Sequence, residues 1–277
     1  MKRIVTIQDI SCFGKCSLTV ALPVISAMGV ETAVVPTAVL STHTGGFSGF
    51  TFRDLSGDIP EIFQHWKKEK LHFDAIYTGY LGSLEQIDLM RDYIINKEQN
   101  TLSFVDPAMG DNGVLYTGFN EDFAKKMASL CAVADIIVPN LTEAAFMLGI
   151  EYKESGYDKA YIEDILRKLA ALGAKKVVLT GVSFSEYELG VAMYDSEKDE
   201  FFYYFNEKIE AKFHGTGDVF ASTCVGALMN GMSLEESLRV AVDFVVECIR
   251  ITLPNRDECW YSVQFEKVIP KLLEMIK

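Results

Sequence analysis

His214-Gly215-Thr216-Gly217-Asp218 runs directly into Val219-Phe220-Ala221-Ser222-Thr223-Cys224-Val225-Gly226-Ala227-Leu228-Met229. A polar glycine turn thus opens an apolar helix built largely of small residues. Glycines at a helix start let bare backbone amides converge, and the helix dipole adds positive potential at the same place. Such a cup holds an anion without any lysine. Asp218 stands within a turn of that anion, where a carboxylate can accept the proton of a hydroxyl attacking phosphorus. The plainer reading is that Thr216 caps the helix and Asp218 complements its dipole.

Upstream of this turn, short β-branched runs alternate with helical patterns. Ile4–Ile7, Thr32–Val35, Asp74–Thr78, Leu102–Val105, Asp135–Val138 and Lys176–Leu179 read as strands. Between them fall helices near Ser17–Met28, Ile59–Lys68, Glu85–Ile95, Asp122–Leu130 and Ile162–Leu172. Strands separated by helices of this length need crossover connections, so the pattern predicts a parallel sheet covered on both faces. Leu189–Tyr194 and Phe201–Phe205, facing each other across a polar turn, predict an antiparallel hairpin at the edge. Three helices should finish the chain, one opened by the capping box Ser233-Leu234-Glu235-Glu236. No Pro/Gly/Ser linker interrupts residues 1–277, which predicts a single domain.

Lys and Arg number 26 against 39 Asp and Glu, a net charge of −13. So acidic a surface repels phosphate backbones and anionic lipid, which excludes nucleic acid and membrane as partners. An anionic substrate must therefore be held by local dipoles. Six cysteines without a Cys-x-x-Cys pair fit neither a disulfide scaffold nor zinc, and the apolar start is cut short by Gln8 and Asp9. The expected setting is the cytoplasm.

Several motifs fail. Gly14-Lys15-Cys16-Ser17 resembles the end of a Walker loop but has Asp9 and Cys16 where glycine and a hydroxyl residue are required. Gly181-Val182-Ser183-Phe184-Ser185 lacks the last glycine of a hydrolase elbow. Gly215-Thr216-Gly217 lies too late in the chain for a nicotinamide fingerprint.

What remains forms an ordered set. Ile7-Gln8 ends the first strand; Ser41-Thr42-His43-Thr44-Gly45 follows the second; Thr78-Gly79-Tyr80-Leu81-Gly82-Ser83 follows the third. Val105-Asp106-Pro107-Ala108-Met109-Gly110-Asp111 and Val138-Pro139-Asn140-Leu141-Thr142-Glu143 come next, and the Gly-Thr-Gly-Asp turn closes the series. In this order the sequence resembles the ribokinase-like (PfkB) superfamily, in its pyridoxal kinase branch, from about Lys2 to about Leu253. The resemblance implies a three-layer α/β/α sandwich with a mostly parallel central sheet and an antiparallel edge hairpin. It also implies ATP-dependent phosphorylation of the 5′-hydroxymethyl group of a B6 vitamer, whether pyridoxal, pyridoxamine or pyridoxine. Ligands of open α/β sheets bind beyond the carboxyl ends of strands, where these segments fall.

By the same resemblance, Asp218 is the base and Gly215, Thr216 and Gly217 form the anion cup. Asp9, His43, Thr44, Gly45, Tyr80 and Asp218 line the vitamer pocket. Asp106, Asn140, Glu143, Thr180, Gly181, Gly215 and Gly217 serve ATP, and Asp106 and Glu143 serve Mg²⁺, Glu143 through water. A monovalent cation such as K⁺ near Thr180 and a homodimer are further implications. Pro107 is expected to stop pairing and expose the Asp106 carboxylate, and Asn140 with Glu143 also reads as a capping box. Three positions depart from the family pattern: Asp9 where serine is usual, Gly45 for a polar residue, and Gly181 for a basic or hydroxyl residue. An acid at position 9 favours an amine-bearing vitamer. Rival readings are another acceptor, such as a hydroxymethylpyrimidine or a sugar, a non-catalytic binding module of the same fold, and, more remotely, a dehydrogenase.

Overall fold

The structure is a computed structural model describing residues 1–277, and its backbone divides into two compact units, residues 1–82 with 209–277 and residues 83–208. In the first unit β1 (Arg3–Ser11) pairs in parallel with β2 (Glu31–Leu40) on one side and β4 (Ala75–Thr78) on the other. A short antiparallel strand, β3 (Phe52–Asp54), borders β2. The register of β1 against β2 shifts between Gln8 and Ile10, leaving Asp9 without a partner there. A bulge of this kind bends the strand and re-aims one side chain.

Four helices of this unit pack around one apolar cluster: α1 (Leu18–Ala27), α7 (Thr216–Met229), α8 (Leu234–Thr252) and α9 (Ile269–Met275). The cluster joins Val20 and Val24 of α1, Val219 and Ala227 of α7, Phe244 and Cys248 of α8, and Val263, Phe265 and Leu272 near the C-terminus. Because α7 is buried along its body by small and β-branched residues, its N-terminus is held fixed. Ser233 and Glu236 make the expected capping box at the start of α8. A further helix, α2 (Ile59–Lys68), turns Ile62, Phe63 and Trp66 inward, each half-buried.

In the second unit β5 (Leu102–Val105), β8 (Ile136–Ile137) and β9 (Lys176–Val182) run parallel. The edge hairpin of β10 (Glu188–Asp195) and β11 (Glu200–Glu207) is antiparallel, and β10 pairs antiparallel with β9. Asp195 shapes its turn by accepting from the amides of Glu197 (3.0 Å) and Lys198 (3.3 Å) and pairing with Lys176 at 3.0 Å. A two-residue ladder of β6 (Gly110–Asp111) and β7 (Val114–Leu115) stands apart. The helices are α3 (Leu84–Ile95), α4 (Glu121–Cys131), α5 (Leu141–Leu148) and α6 (Lys159–Ala170). The expected alternation and edge hairpin are therefore present, with shifts at the ends: β2 runs on to Leu40, and β8 keeps two of the four residues expected of it.

Phe244 is fully buried at the centre of the first unit's cluster. Phe244→Ala should lower unfolding free energy by about 3–5 kcal/mol in urea titrations, from lost transfer energy and a residual cavity. A loss below about 1 kcal/mol would mean that this cluster does not hold α7 in place.

Candidate active site

Gly215 is the N-cap of α7, with φ 77° in the left-handed region and no side-chain cap. Only glycine takes this conformation readily, and a Cβ here would also fall onto the Lys15 carbonyl oxygen. The first hydrogen bond of the helix runs from the Val219 amide to the Gly215 carbonyl at 3.0 Å. The amides of Thr216, Gly217 and Asp218 thus have no acceptor within the helix. Thr216 does not cap: its hydroxyl reaches back to the Phe213 carbonyl at 3.4 Å. Gly217 is exposed, and a Cβ built on it meets nothing within 4 Å. The cup is open.

Beside it lie two carboxylates. Asp9, 3% exposed at the β1 bulge, accepts from the Ser11 hydroxyl at 2.8 Å and from the Ser17 side chain. Asp218 accepts from the Ser17 amide. Ser17 therefore serves both acids, one through each of its donors. It sits in a left-handed turn, Lys15 at φ 58° and Ser17 at φ 53°, bridged back to Ile10 of β1. Burial pushes the Asp218 carboxyl up to about 7; the Ser17 amide opposes this and the Asp9 charge adds to it. Burial likewise raises Asp9, against the pull of the Ser17 and Ser11 hydroxyls. No lysine, arginine or histidine acts on either acid. Cys16 lies against the pair, its thiol raised by burial and by both charges. Tyr80, following β4, is pushed up to about 12 by burial and by Asp9.

His43 is buried and fully engaged. Its Nδ1 accepts from the Gly45 amide at 3.1 Å, so Nε2–H donates to the Tyr261 carbonyl at 2.9 Å. Its ring also lies 5.3 Å from that of His214 and 4.9 Å from that of Phe47. His43 thus ties the loop after β2 to the C-terminal segment, with no nitrogen left for a ligand. Gly45 belongs to the same clamp, and Thr44 between them is half-buried. Phe13, half-exposed, packs on Tyr261 at 4.8 Å and on Phe47 at 6.0 Å.

The second unit gathers the other group of residues. Asn140 caps α5 by accepting from the Glu143 amide at 2.9 Å, and Glu143 Oε2 accepts from the Asn140 amide at 2.8 Å. The same Glu143 takes the Met109 amide on Oε1 at 3.1 Å and a bond from the Gly110 backbone, while Asn140 Nδ2 donates to the Gly110 carbonyl at 2.8 Å. Both halves of the capping motif thus also hold the turn after β5. Thr180 of β9 bridges to Asn140, its amide donating to the Pro139 carbonyl at 2.9 Å. Asp106 is not exposed by Pro107, contrary to expectation: only 9% of its surface is accessible, and the Met109–Gly110 turn that follows it is tied to the start of α5. Burial raises the Cys131 thiol, and the Glu143 and Asp106 charges both add to this. Gly181, exposed at φ 71°, falls where β9 shifts register against β10. It is a bulge glycine, and the left-handed backbone accounts for the missing side chain.

A mostly parallel α/β scaffold that presents uncapped amides next to a carboxylate is a scaffold for a kinase of small molecules. Residues 18–259 match the model of the phosphomethylpyrimidine kinase family, and the chain belongs to that family. It is similar to a Bacteroides thetaiotaomicron protein described as a phosphomethylpyrimidine kinase and solved with pyridoxal: TM-score 0.92, 38% identity, 98% of this chain and 95% of that one. Pyridoxal kinase from Lactobacillus plantarum superposes with a TM-score of 0.90 at 33% identity, covering 99% of this chain and 98% of that one. Pyridoxine kinase of Bacillus subtilis is 30% identical over 186 residues, 65% of each chain. These likenesses make the fold the ribokinase-like α/β class.

Sequence reasoning missed Ser11, Ser17, Tyr261 and Ser262. No local pattern marks them, since their partners lie across the fold and the left-handed positions at Lys15 and Ser17 are not glycines.

Burial holds the His43 imidazole below its ordinary value, with His214 adding to this and the Tyr261 carbonyl opposing it. A histidine depressed in the folded state contributes stability that is present above about pH 6.5 and lost as pH falls through the folded value. The His43 ring proton should therefore titrate below 6.5 by NMR, with the Nε2–H tautomer above it. Titration at or above the ordinary value would break the assigned clamp.

Proposed function

We propose that the chain transfers the γ-phosphoryl group of ATP to the 5′-hydroxymethyl group of a B6 vitamer. The observation that carries this reading is the open, uncapped start of α7 beside an Asp218 whose carboxyl is raised to about 7. A base with that value is part ionised at neutral pH, which suits removal of an alcohol proton. Asp218 takes the proton as the hydroxyl oxygen forms its bond to the γ-phosphorus, and the bond to the bridging oxygen of ADP breaks. The amides of Thr216, Gly217 and Asp218 stabilise charge on the phosphoryl oxygens in transit. Asp9 and Tyr80 border the acceptor, while His43, Thr44 and Gly45 shape the wall behind it.

Asp106, Asn140, Glu143, Thr180 and Gly181 serve the nucleotide in this reading. Mg²⁺ fits here only with water in its shell. Glu143 already accepts three backbone amides, those of Asn140, Met109 and Gly110, which leaves about one of its four acceptor positions for a metal-bound water. Asp106 and the phosphates would hold the ion, whose chemistry is to neutralise the polyphosphate. A K⁺ ion near Thr180 and a homodimer rest on the family resemblance alone. Six free cysteines suit a reducing cytoplasm. The whole chain is proposed to act as one kinase domain.

The match to a phosphomethylpyrimidine kinase model favours a second acceptor, a hydroxymethylpyrimidine. ATP-dependent product formation against a panel of three B6 vitamers and hydroxymethylpyrimidine decides between them. Phosphorylation of a vitamer is expected; pyrimidine-only turnover would replace the first reading, and no transfer at all would leave a binding module.

Asp218→Asn should lower kcat by about 10²–10⁴-fold. The wild-type kcat/KM should fall below about pH 7, and Asp9→Asn, which removes a like charge, should move that limb to lower pH. An acid raised in the folded state costs stability as pH rises from its unfolded value to its folded one, so Asp218→Asn should melt no lower than wild type at pH 8. Near-normal turnover in the Asn variant would remove the base.

Asp9 also bears on the choice of vitamer. In pyridoxamine an aminomethyl group sits on the ring carbon next to the one bearing the reacting hydroxymethyl group, so a carboxylate beside the base lies near its amine. Pyridoxamine should be preferred over pyridoxine by about tenfold in kcat/KM, and Asp9→Ser should abolish the preference. An unchanged ratio would take Asp9 out of the explanation.

A further inference from the structure

The C-terminal segment after α8 reaches back to the catalytic helix at one buried hydroxyl. Ser262 is 1% exposed, and its Oγ lies 3.1 Å from the Lys15 carbonyl oxygen and 3.1 Å from that of His214. These carbonyls belong to the two backbones that flank the base. Lys15 stands two residues before Ser17, the donor to Asp218, and His214 precedes Gly215, the N-cap of α7. The backbones touch, since a Cβ on Gly215 would land on the Lys15 carbonyl. Two carbonyl oxygens brought this close repel unless a donor stands between them, and Ser262 supplies it.

Lys15 and Ser17 both take positive φ, a conformation that residues other than glycine hold only where the surroundings over-determine it. Much of what holds them comes from the same segment. The Lys15 ammonium pairs with Glu266 at 2.9 Å and lies over the Phe265 ring at 5.8 Å. Val263 and Phe265, next to Ser262, are buried in the core, and the Gln264 amide donates to Thr252 Oγ1 at 2.8 Å. The strap is thus rigid where it meets the turn.

We propose that Ser262 is a positioning residue for phosphoryl transfer: its hydroxyl holds the Lys15–Ser17 turn so that the Ser17 amide points at the Asp218 carboxylate. This rests on the reading of Asp218 as base. Without the hydroxyl, the two carbonyls move apart, the Ser17 amide withdraws, and Asp218 loses the donor that favours its ionised form. The titratable groups facing Asp218 are Asp9 from β1 and Cys16 from the turn, and neither supplies a positive charge to replace it.

The test is kcat against pH for wild type, Ser262→Ala and Ser262→Cys, with pyridoxal and MgATP, alongside Asp218→Asn and thermal melts. In Ser262→Ala the acid limb should move up by about one pH unit, with kcat about tenfold lower near pH 6.5 and recovered near pH 9. The weaker thiol donor in Ser262→Cys should give a smaller shift in the same direction. A wild-type limb in both variants, or a kcat reduced by the same factor at every pH, would overturn the proposal. If Asp218→Asn keeps wild-type turnover, the base reading fails and this proposal with it; if that variant is inactive while both Ser262 variants keep the wild-type profile, only the role of Ser262 fails.

Discussion

Two carboxylates share a desolvated corner with no cation to offset them. Burial raises both Asp9 and Asp218, the Asp9 charge adds to the rise of Asp218, and the protein supplies only hydroxyl and amide donors in return. Charge repulsion is stronger in a poorly solvated site than in water, so the few donors that hold the two acids have to be kept in place by the surrounding backbone. The irregular features of the first unit meet this demand. A bulge aims Asp9, a left-handed turn aims Ser17, and a glycine N-cap leaves the helix start without a side chain. Each costs some stability, offset by the apolar cluster beneath α7.

The second unit treats its acids in the opposite way. Glu143 is also buried and raised, yet backbone amides occupy most of its acceptor capacity. Such a carboxylate organises a turn and has little left for proton transfer. The contrast between an acid nearly saturated with donors and one held by a single amide separates a structural and ion-orienting role from that of a base. Both acids stand at the start of a helix, so position alone does not make the distinction; the donor count does.

Legibility in the sequence follows the distance over which each interaction acts. The glycine turn before α7, the Asn140–Glu143 box and the Ser233–Glu236 box are local, and residue types three or four apart announce them. Alternating strands and helices are equally plain, because burial imposes a period on them. Asp106 is less legible: Pro107 after it suggests an open strand end, whereas the carboxylate is buried and the turn that follows is held from Glu143, far along the chain. His43 reads as a pocket residue by its neighbours, but both nitrogens are taken, one by a carbonyl more than two hundred residues away. Ser17 and Ser262 carry no mark at all: their importance lies in contacts between the two ends of the chain.

The central claim is that the fold sets the ionisation of one aspartate at the mouth of an amide cup. Carboxyl ¹³C NMR of aspartate-labelled protein, with Asp218→Asn to assign the signal, reads that property without turnover. The account predicts one resonance, missing in the variant, that titrates near 7. A signal for Asp218 that titrates near the ordinary aspartate value of about 3.9 would contradict it.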